Sequence, residues 1–475
     1  MMQMIGRKEE RADLDRLTES EKSEFAVVFG RRRVGKTYLV NEYFDKKFTF
    51  YHTGMANTEM ATQLKNFNSS LLKYGNMPYP EVTTWLESFG QLIHLLSNTK
   101  KRRGGKKVVF IDEMPWLDTP RSGFIQALEY FWNSWASSQN DILLIVCGSS
   151  TSWMMNKLIK NHGGLHNRVT WQIHLSPFNL GECEEYFQKH NIEMNRHQIV
   201  ENYMIFGGIP YYLSLIQKQF SMAQNIDNLC FAQKGMLKNE FENLYASLFK
   251  NHDKHVKIVE VLSKKAKGLT REEIIENVQL SNGGGLTKTL EELELCGFIR
   301  RYKAFDKLER QSLFQLTDFF TLFYFNFMRN SKFDDEHYWT NFIENARHRT
   351  WSGYAFEQVC LAHLPQIKRK LGISGILANT ASWRSRESEN GAQIDLLIAR
   401  NDKVINLCEI KFSNSQFVID KKYDENLRNK RETFRRETKT NKALHFTMIT
   451  TYGVQHNAYW GNIHSEVTMD DLFVV

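Results

Sequence analysis

Gly30-Arg31-Arg32-Arg33-Val34-Gly35-Lys36-Thr37 sets two glycines, a lysine and a hydroxyl at the spacing of a loop that wraps phosphates. The apolar run at 25–29 would supply a strand ahead of it, and Tyr38-Leu39-Val40-Asn41-Glu42-Tyr43 the start of a helix behind it. Between strand and helix, glycines let backbone N–H groups turn inward onto an anion at the helix N-terminus. Lys36 would neutralise β- and γ-phosphates and the Thr37 hydroxyl would ligate Mg²⁺, so the expected nucleotide is ATP. Arg31, Arg32 and Arg33 lie inside the loop, where solvated charge is the default role of each.

A magnesium-dependent hydrolase needs a second acidic motif, because the ion takes an outer carboxylate and the attacking water needs a base. Val108-Val109-Phe110-Ile111-Asp112-Glu113 meets that need. Four strand residues deliver two acids to the carboxyl edge of a sheet, where open α/β sheets hold ligands. Asp112 is assigned to magnesium through water, and Glu113 to orienting the attacking water. The run at 142–147 ends in Gly148-Ser149-Ser150, where either hydroxyl would sense the γ-phosphate; a plain turn after a buried strand is the alternative. Arg168, in His166-Asn167-Arg168-Val169, would serve as an arginine finger or form a surface ion pair.

With Ile5-Gly6-Arg7-Lys8-Glu9-Glu10, Leu175-Ser176-Pro177-Phe178 and Gly207-Gly208-Ile209-Pro210-Tyr211-Tyr212-Leu213, these motifs run in order along most of the chain. The sequence resembles the archaeal-type P-loop ATPases, a branch related to AAA+ and STAND signalling NTPases. The resemblance implies that Gly6 and Arg7 lie beside the adenine and that the Gly-Gly-x-Pro element belongs to a helical lid. It also implies the usual Walker A and Walker B roles for the two nucleotide motifs.

A second chemistry lies near the C-terminus. Residues 393–400 and 403–411 spell a β-hairpin turned by Asn401-Asp402. With Arg400 opposite Lys403, antiparallel register places Asp395 opposite Cys408 or, with a one-residue bulge, Glu409, and the two-residue period puts Lys411 on the face of Glu409. A metal-dependent phosphodiesterase uses such a set: acids, Asp395 and Glu409, to hold Mg²⁺ and a lysine to position water. The pattern resembles the PD-(D/E)xK nuclease superfamily, although no proline precedes Asp395. That resemblance makes Asp395 the first-motif acid, Glu409-Ile410-Lys411 the second motif, and Glu357 the acid on a preceding helix. Tyr423, Arg428, Lys430 and Arg431 fall on a basic helix expected to face a phosphate backbone. A domain of this kind cuts nucleic acid, or else only binds nucleic acid or protein.

The elements that must position these groups follow from hydrophobic period. All-apolar runs at 25–29, 108–111 and 142–147 suit doubly covered parallel strands, so the fold class is α/β. Four domains are expected: a P-loop ATPase core at 1–180, a helical lid at 181–250, a winged helix and linker at 251–335, and a nuclease-like α/β domain at 336–475. In the third, helices at 255–264, 270–278 and 286–296 precede wing strands at 298–302 and 312–316. Glu291, Glu292 and Glu294 on its third helix would repel phosphate, so a protein-facing role stands beside DNA reading. The ten residues at 319–328 form an aromatic core helix.

Composition bounds the rest. At 475 residues, with 42% hydrophobic and 24% charged, the chain is too apolar for disorder and too long for one core. Six scattered cysteines without a Cys-x-x-Cys pair are expected to be reduced and buried. The N-terminal residues lack a long apolar core and no run suits a membrane span, so the expected location is cytoplasmic. Residues 345–475 hold 19 Lys and Arg against 14 Asp and Glu, most of the net charge of +8, which admits nucleic acid as a partner there. A homo-oligomer is left open.

Overall fold

The computed structural model describes all residues except 1–3, 77, 100–104, 161–162, 250, 304, 306–311, 330–334, 343–344, 386–390 and 475. The start of the N-terminal stretch and most of the linker expected near 335 therefore lie outside the described residues. The chain packs as two compact units, Met1–Pro177 and Phe178–Val475.

The first unit is a five-stranded sheet. Its strands are β1 (Glu24–Phe29), β2 (Phe50–Thr53), β3 (Lys107–Asp112), β4 (Ile142–Gly148) and β5 (Trp171–His174), in the order β2-β3-β4-β1-β5. All four pairings are parallel. Every residue of β1 and β4 is buried, the apolar run in each being covered on both faces. On one face Val27, Ile111 and Leu144 join Leu64 and Phe67 of α3 (Met60–Gly75), Phe89 and Leu92 of α4 (Trp85–Asn98) and Phe131 of α5 (Phe124–Ser134). Thr84 and Glu87 close a reciprocal capping box that starts α4. Parallel pairing brings the carboxyl ends of β1, β3 and β4 to one edge, and with them the loop at 30–37, Asp112-Glu113 and Ser149-Ser150.

The second unit opens with helices Leu180–Lys189 and Arg196–Phe206. Gly207 and Gly208 both take positive φ. A Cβ on Gly208 would stand 2.1 Å from the Phe178 carbonyl oxygen, and the Gly208 carbonyl accepts from Phe178 N at 2.8 Å. The Gly-Gly element is thus a close backbone crossing that only glycine permits. Helices Asp253–Ser263, Arg271–Val278 and Gly284–Leu295 lead into an antiparallel pair, β6 (Ile299–Tyr302) and β7 (Leu313–Leu316). The acids of the third of these helices are partly engaged: Glu292 holds His255 at 2.9 Å, and Glu294 accepts from Arg301 N. Residues 319–328 form a buried aromatic segment, with Phe241 stacked 4.1 Å from Tyr324.

A mixed sheet ends the chain, with β8 (Ala378–Arg384), β9 (Gln393–Arg400), β10 (Val404–Lys411), β11 (Ala443–Thr450) and β12 (Ser465–Thr468) in the order β12-β11-β10-β9-β8. β8, β9 and β10 pair antiparallel, whereas β10, β11 and β12 pair parallel. The helix Lys421–Thr438 makes the crossover between β10 and β11 and buries Leu427 and Phe434 on the sheet. All six cysteines are buried. No helix among the described residues is long and apolar enough to cross a membrane.

Candidate functional site

At the edge of the first sheet, Gly30 takes φ 145°, Arg33 71° and Gly35 91°, turning the chain around a small concavity before α2 (Lys36–Tyr43). Lys36 is buried and its Nζ donates to the carbonyls of Gly30 at 2.9 Å and Arg31 at 2.8 Å. The ammonium is thereby held inside the loop whose N–H groups would meet phosphate. Thr37 Oγ1 donates to Asp112 Oδ2 at 2.8 Å. A hydroxyl and a carboxylate in contact are a donor set that suits Mg²⁺. Thr37 would ligate the ion and Asp112 would hold its water.

Glu113 follows in the left-handed region, φ 45°, and its Oε2 accepts from Ser149 Oγ at 2.9 Å and Ser149 N at 3.3 Å. Ser149 therefore meets the acid expected to orient water, and Ser150 caps the next helix start without a side-chain bond. Arg7 is buried; its guanidinium donates to Val34 O at 3.1 Å and Ser176 O at 2.7 Å. Its visible work is to brace the phosphate loop, a role the adenine expectation did not include. Tyr38 is half exposed on the first turn of α2, and Arg32 is partly exposed. Arg168 is exposed and forms no salt bridge among the described residues, so no contact ties it to the loop.

Gly30 has a separate reason to be glycine. A Cβ there would lie 2.3 Å from the Leu175 carbonyl oxygen, a backbone atom fixed by its own N–H bond to Phe29 O. Gly30→Ala is expected to cost roughly 2 kcal/mol or more, from left-handed strain plus overlap. A melting temperature equal to that of the parent protein would contradict this.

In the C-terminal sheet, β9 and β10 pair with Leu396 opposite Cys408 and Ala399 opposite Ile405. The next step puts Asp395 opposite Glu409. The expected two-residue turn with Arg400 opposite Lys403 is corrected: residues 401–403 form a three-residue turn with Lys403 at φ 66°, and this extra residue selects Glu409 over Cys408. Asp395 Oδ2 lies 3.4 Å from Ile410 N. Glu357 projects from the helix Ala346–Ala362, which packs against β10. Burial pushes its carboxyl up to about 8, the Asp395 charge adds to the rise, and Lys411 and Lys267 oppose it. Asp395, Glu409, Lys411 and Glu357 thus share one electrostatic neighbourhood.

Glu409 is 1% exposed, and both its oxygens accept from Lys430 Nζ, at 2.7 and 2.8 Å. Burial raises its pKa, with Lys430 pulling the other way. The basic helix therefore does not present Lys430 to solvent. Arg428 pairs with Asp424 at 2.6 Å, Arg431 lies over the Phe446 ring, and the Tyr423 hydroxyl stands 3.4 Å from Glu409, its pKa raised chiefly by burial. The expectation of a phosphate-facing set is corrected for Tyr423 and Lys430, which turn onto Glu409, because a buried carboxylate takes the nearest cation; Arg428 stays 55% exposed. The signal was present, since Tyr423, Leu427, Lys430 and Phe434 follow the 4-3-4 spacing of one helix face. With Lys430 on both Glu409 oxygens, this arrangement does not fit a divalent ion at Glu409. Among the described residues no group of three or more His, Cys, Asp or Glu stands close enough to hold a metal.

Residues 4–216 match the family described as an ATPase domain predominantly from Archaea. The match takes in the parallel sheet of the first unit and the opening helices of the second, whose mixed sheet lies beyond it. An uncharacterized protein of Methanocaldococcus jannaschii, MJECL04, is 24% identical over 414 residues, covering 86% of this chain and 88% of that one. Among solved structures, the Walker-type ATPase PABY2304 of Pyrococcus abyssi shares the fold with a TM-score of 0.52 at 17% identity, covering 68% of this chain and 96% of its own. The ORC2 protein of Aeropyrum pernix, in ADPNP–ADP complexes, has a TM-score of 0.42 at 12% identity, covering 68% and 92%.

Proposed function

We propose that this chain binds and hydrolyses ATP with Mg²⁺, and that its nucleotide state controls a C-terminal nuclease-like domain that acts on nucleic acid. The observation that carries the first half is the pair of contacts Thr37 to Asp112 and Ser149 to Glu113, which join all three loop elements at one sheet edge. Lys36 meets phosphate charge, Glu113 orients water and accepts its proton, and Arg7 keeps the loop in shape. Magnesium held by Thr37 and, through water, by Asp112 would supply charge neutralisation for the phosphates. Arg168 is retained as the candidate finger. The three-helix unit with its strand pair is read as a winged helix facing protein, in keeping with its engaged glutamates.

The second half rests on Asp395, Glu357 and Lys411 gathered at one hairpin end. The hold of Lys430 on Glu409 favours a second reading, a regulatory ATPase whose C-terminal module binds without cutting. One experiment separates them: ATP turnover and cleavage of single- and double-stranded DNA and RNA, each with and without ATP, Mg²⁺ and Mn²⁺. Cleavage lost in Asp395→Asn and Lys411→Ala, with ATP turnover intact, supports the nuclease. ATP turnover with no cleavage of any substrate leaves the binding module, and no turnover at all refutes the first half.

A further inference from the structure

A cavity of about 490 Å³ lies between the β6–β7 strand pair and the C-terminal sheet. Lys267 and Arg300 line it from the three-helix unit, and Arg384 lines it from β8, together with Asp395 and Glu357. Lys267, Arg384, Asp395 and Glu357 form no salt bridge among the described residues. Lys267 feels the charges of Asp395, Arg384 and Glu357, so these groups belong to one site. Gln315 Oε1 accepts from both Nε and Nη2 of Arg300, which fixes the guanidinium plane without neutralising it. The two walls are joined, since Phe305 N donates to Ser382 O at 3.1 Å and the Phe305 ring packs 5.3 Å from Phe434.

Cations held without acidic partners, beside acids that share no salt bridge, are an arrangement for an anion that also presents something to the acids. The volume lies in the range of pockets for small ligands, roughly 300–1,000 Å³. It has no room for a duplex, whose major groove alone is about 12 Å wide. Tyr302 lines the same cavity and adds an aromatic ring of the kind that single strands use.

We propose that this cleft binds one nucleotide unit of a single nucleic-acid strand, with its phosphate on Lys267, Arg300 and Arg384 and its sugar–phosphate link beside Asp395 and Glu357. The inference rests on reading the C-terminal domain as a phosphodiester-binding module. Cutting is not required for it.

The test is fluorescence anisotropy of the full chain with a labelled single-stranded deoxythymidine decamer and with a labelled hairpin duplex, in EDTA so that nothing is cut. The single strand should bind at least tenfold more tightly than the duplex. Lys267→Glu combined with Arg384→Glu, both at exposed positions, should weaken single-strand binding at least tenfold and leave the melting temperature unchanged. Equal or tighter duplex binding, or single-strand affinity unmoved by the double variant, overturns the cleft. Single-strand binding by a protein that cuts nothing in Mn²⁺ supports the cleft while removing the nuclease. Cleavage that survives the double variant unchanged removes the cleft and keeps the nuclease.

Discussion

Lys36→Ala should raise the ATP dissociation constant by roughly a hundredfold, about 2.7 kcal/mol, while Glu113→Gln should keep binding and lose at least about a hundredfold in turnover. The two effects differ because the two side chains meet charge at different moments. Lys36 is buried inside the loop on the Gly30 and Arg31 carbonyls, where its ammonium would face the phosphates of a bound nucleotide. Glu113 is proposed to meet water rather than phosphate; its carboxylate is held by Ser149 and would act as the transition state forms. Calorimetric titration with ATP and a steady-state phosphate-release assay measure the two separately. Equal turnover in the parent protein and in Glu113→Gln would take the water-orienting role from Glu113. Tight ATP binding by Lys36→Ala would mean that the loop backbone alone holds the nucleotide.

The second large effect concerns Lys430. Replacing it with methionine strands the Glu409 carboxylate, 1% exposed, without its counter-charge. Removing one partner of a buried pair costs about 3–5 kcal/mol, and the partial exposure of Lys430 places the expectation near the lower figure. In EDTA the Lys430→Met transition should therefore fall well below that of the parent. Manganese should restore much of the loss in the variant, because Glu409 is then open to a cation, and should leave the parent nearly unmoved. Thermal melts with and without 1 mM metal, roughly the range of weak carboxylate sites, read this directly. Equal manganese stabilisation of both proteins would mean that Lys430 yields Glu409 readily and that the acid site takes metal as it stands.

The parts of this architecture visible in the sequence are those where burial imposes a pattern. β1, β3 and β4 are central strands covered on both faces, so their apolar runs stand out. β2 and β5 are the two edges of the same sheet, four residues each, with His52 and Gln172 interrupting the run, and nothing in the local sequence separates them from loops. The hairpin of β9 and β10 was legible, but its register depended on Lys403 adopting a left-handed conformation that a lysine seldom takes. Composition marked the helix Lys421–Thr438 as basic and said nothing of which bases turn inward. Only its helical spacing placed Lys430 on the stripe of Leu427 and Phe434. The cleft cations were not foreseen, because Lys267 and Arg300 come to Asp395 from more than ninety residues upstream, and no local spacing records a tertiary approach.

The Phe305 contact also bears on how this protein can be taken apart. β8 is an outer strand of the C-terminal sheet, and Phe305 N occupies one of its free carbonyls while the Phe305 ring covers Phe434. A fragment beginning after the strand pair would bare both the hydrogen-bonding margin and an aromatic surface, which together template association between copies. Soluble expression of the sheet by itself thus calls for a cut upstream of residue 253, so that the strand pair travels with the sheet it shields.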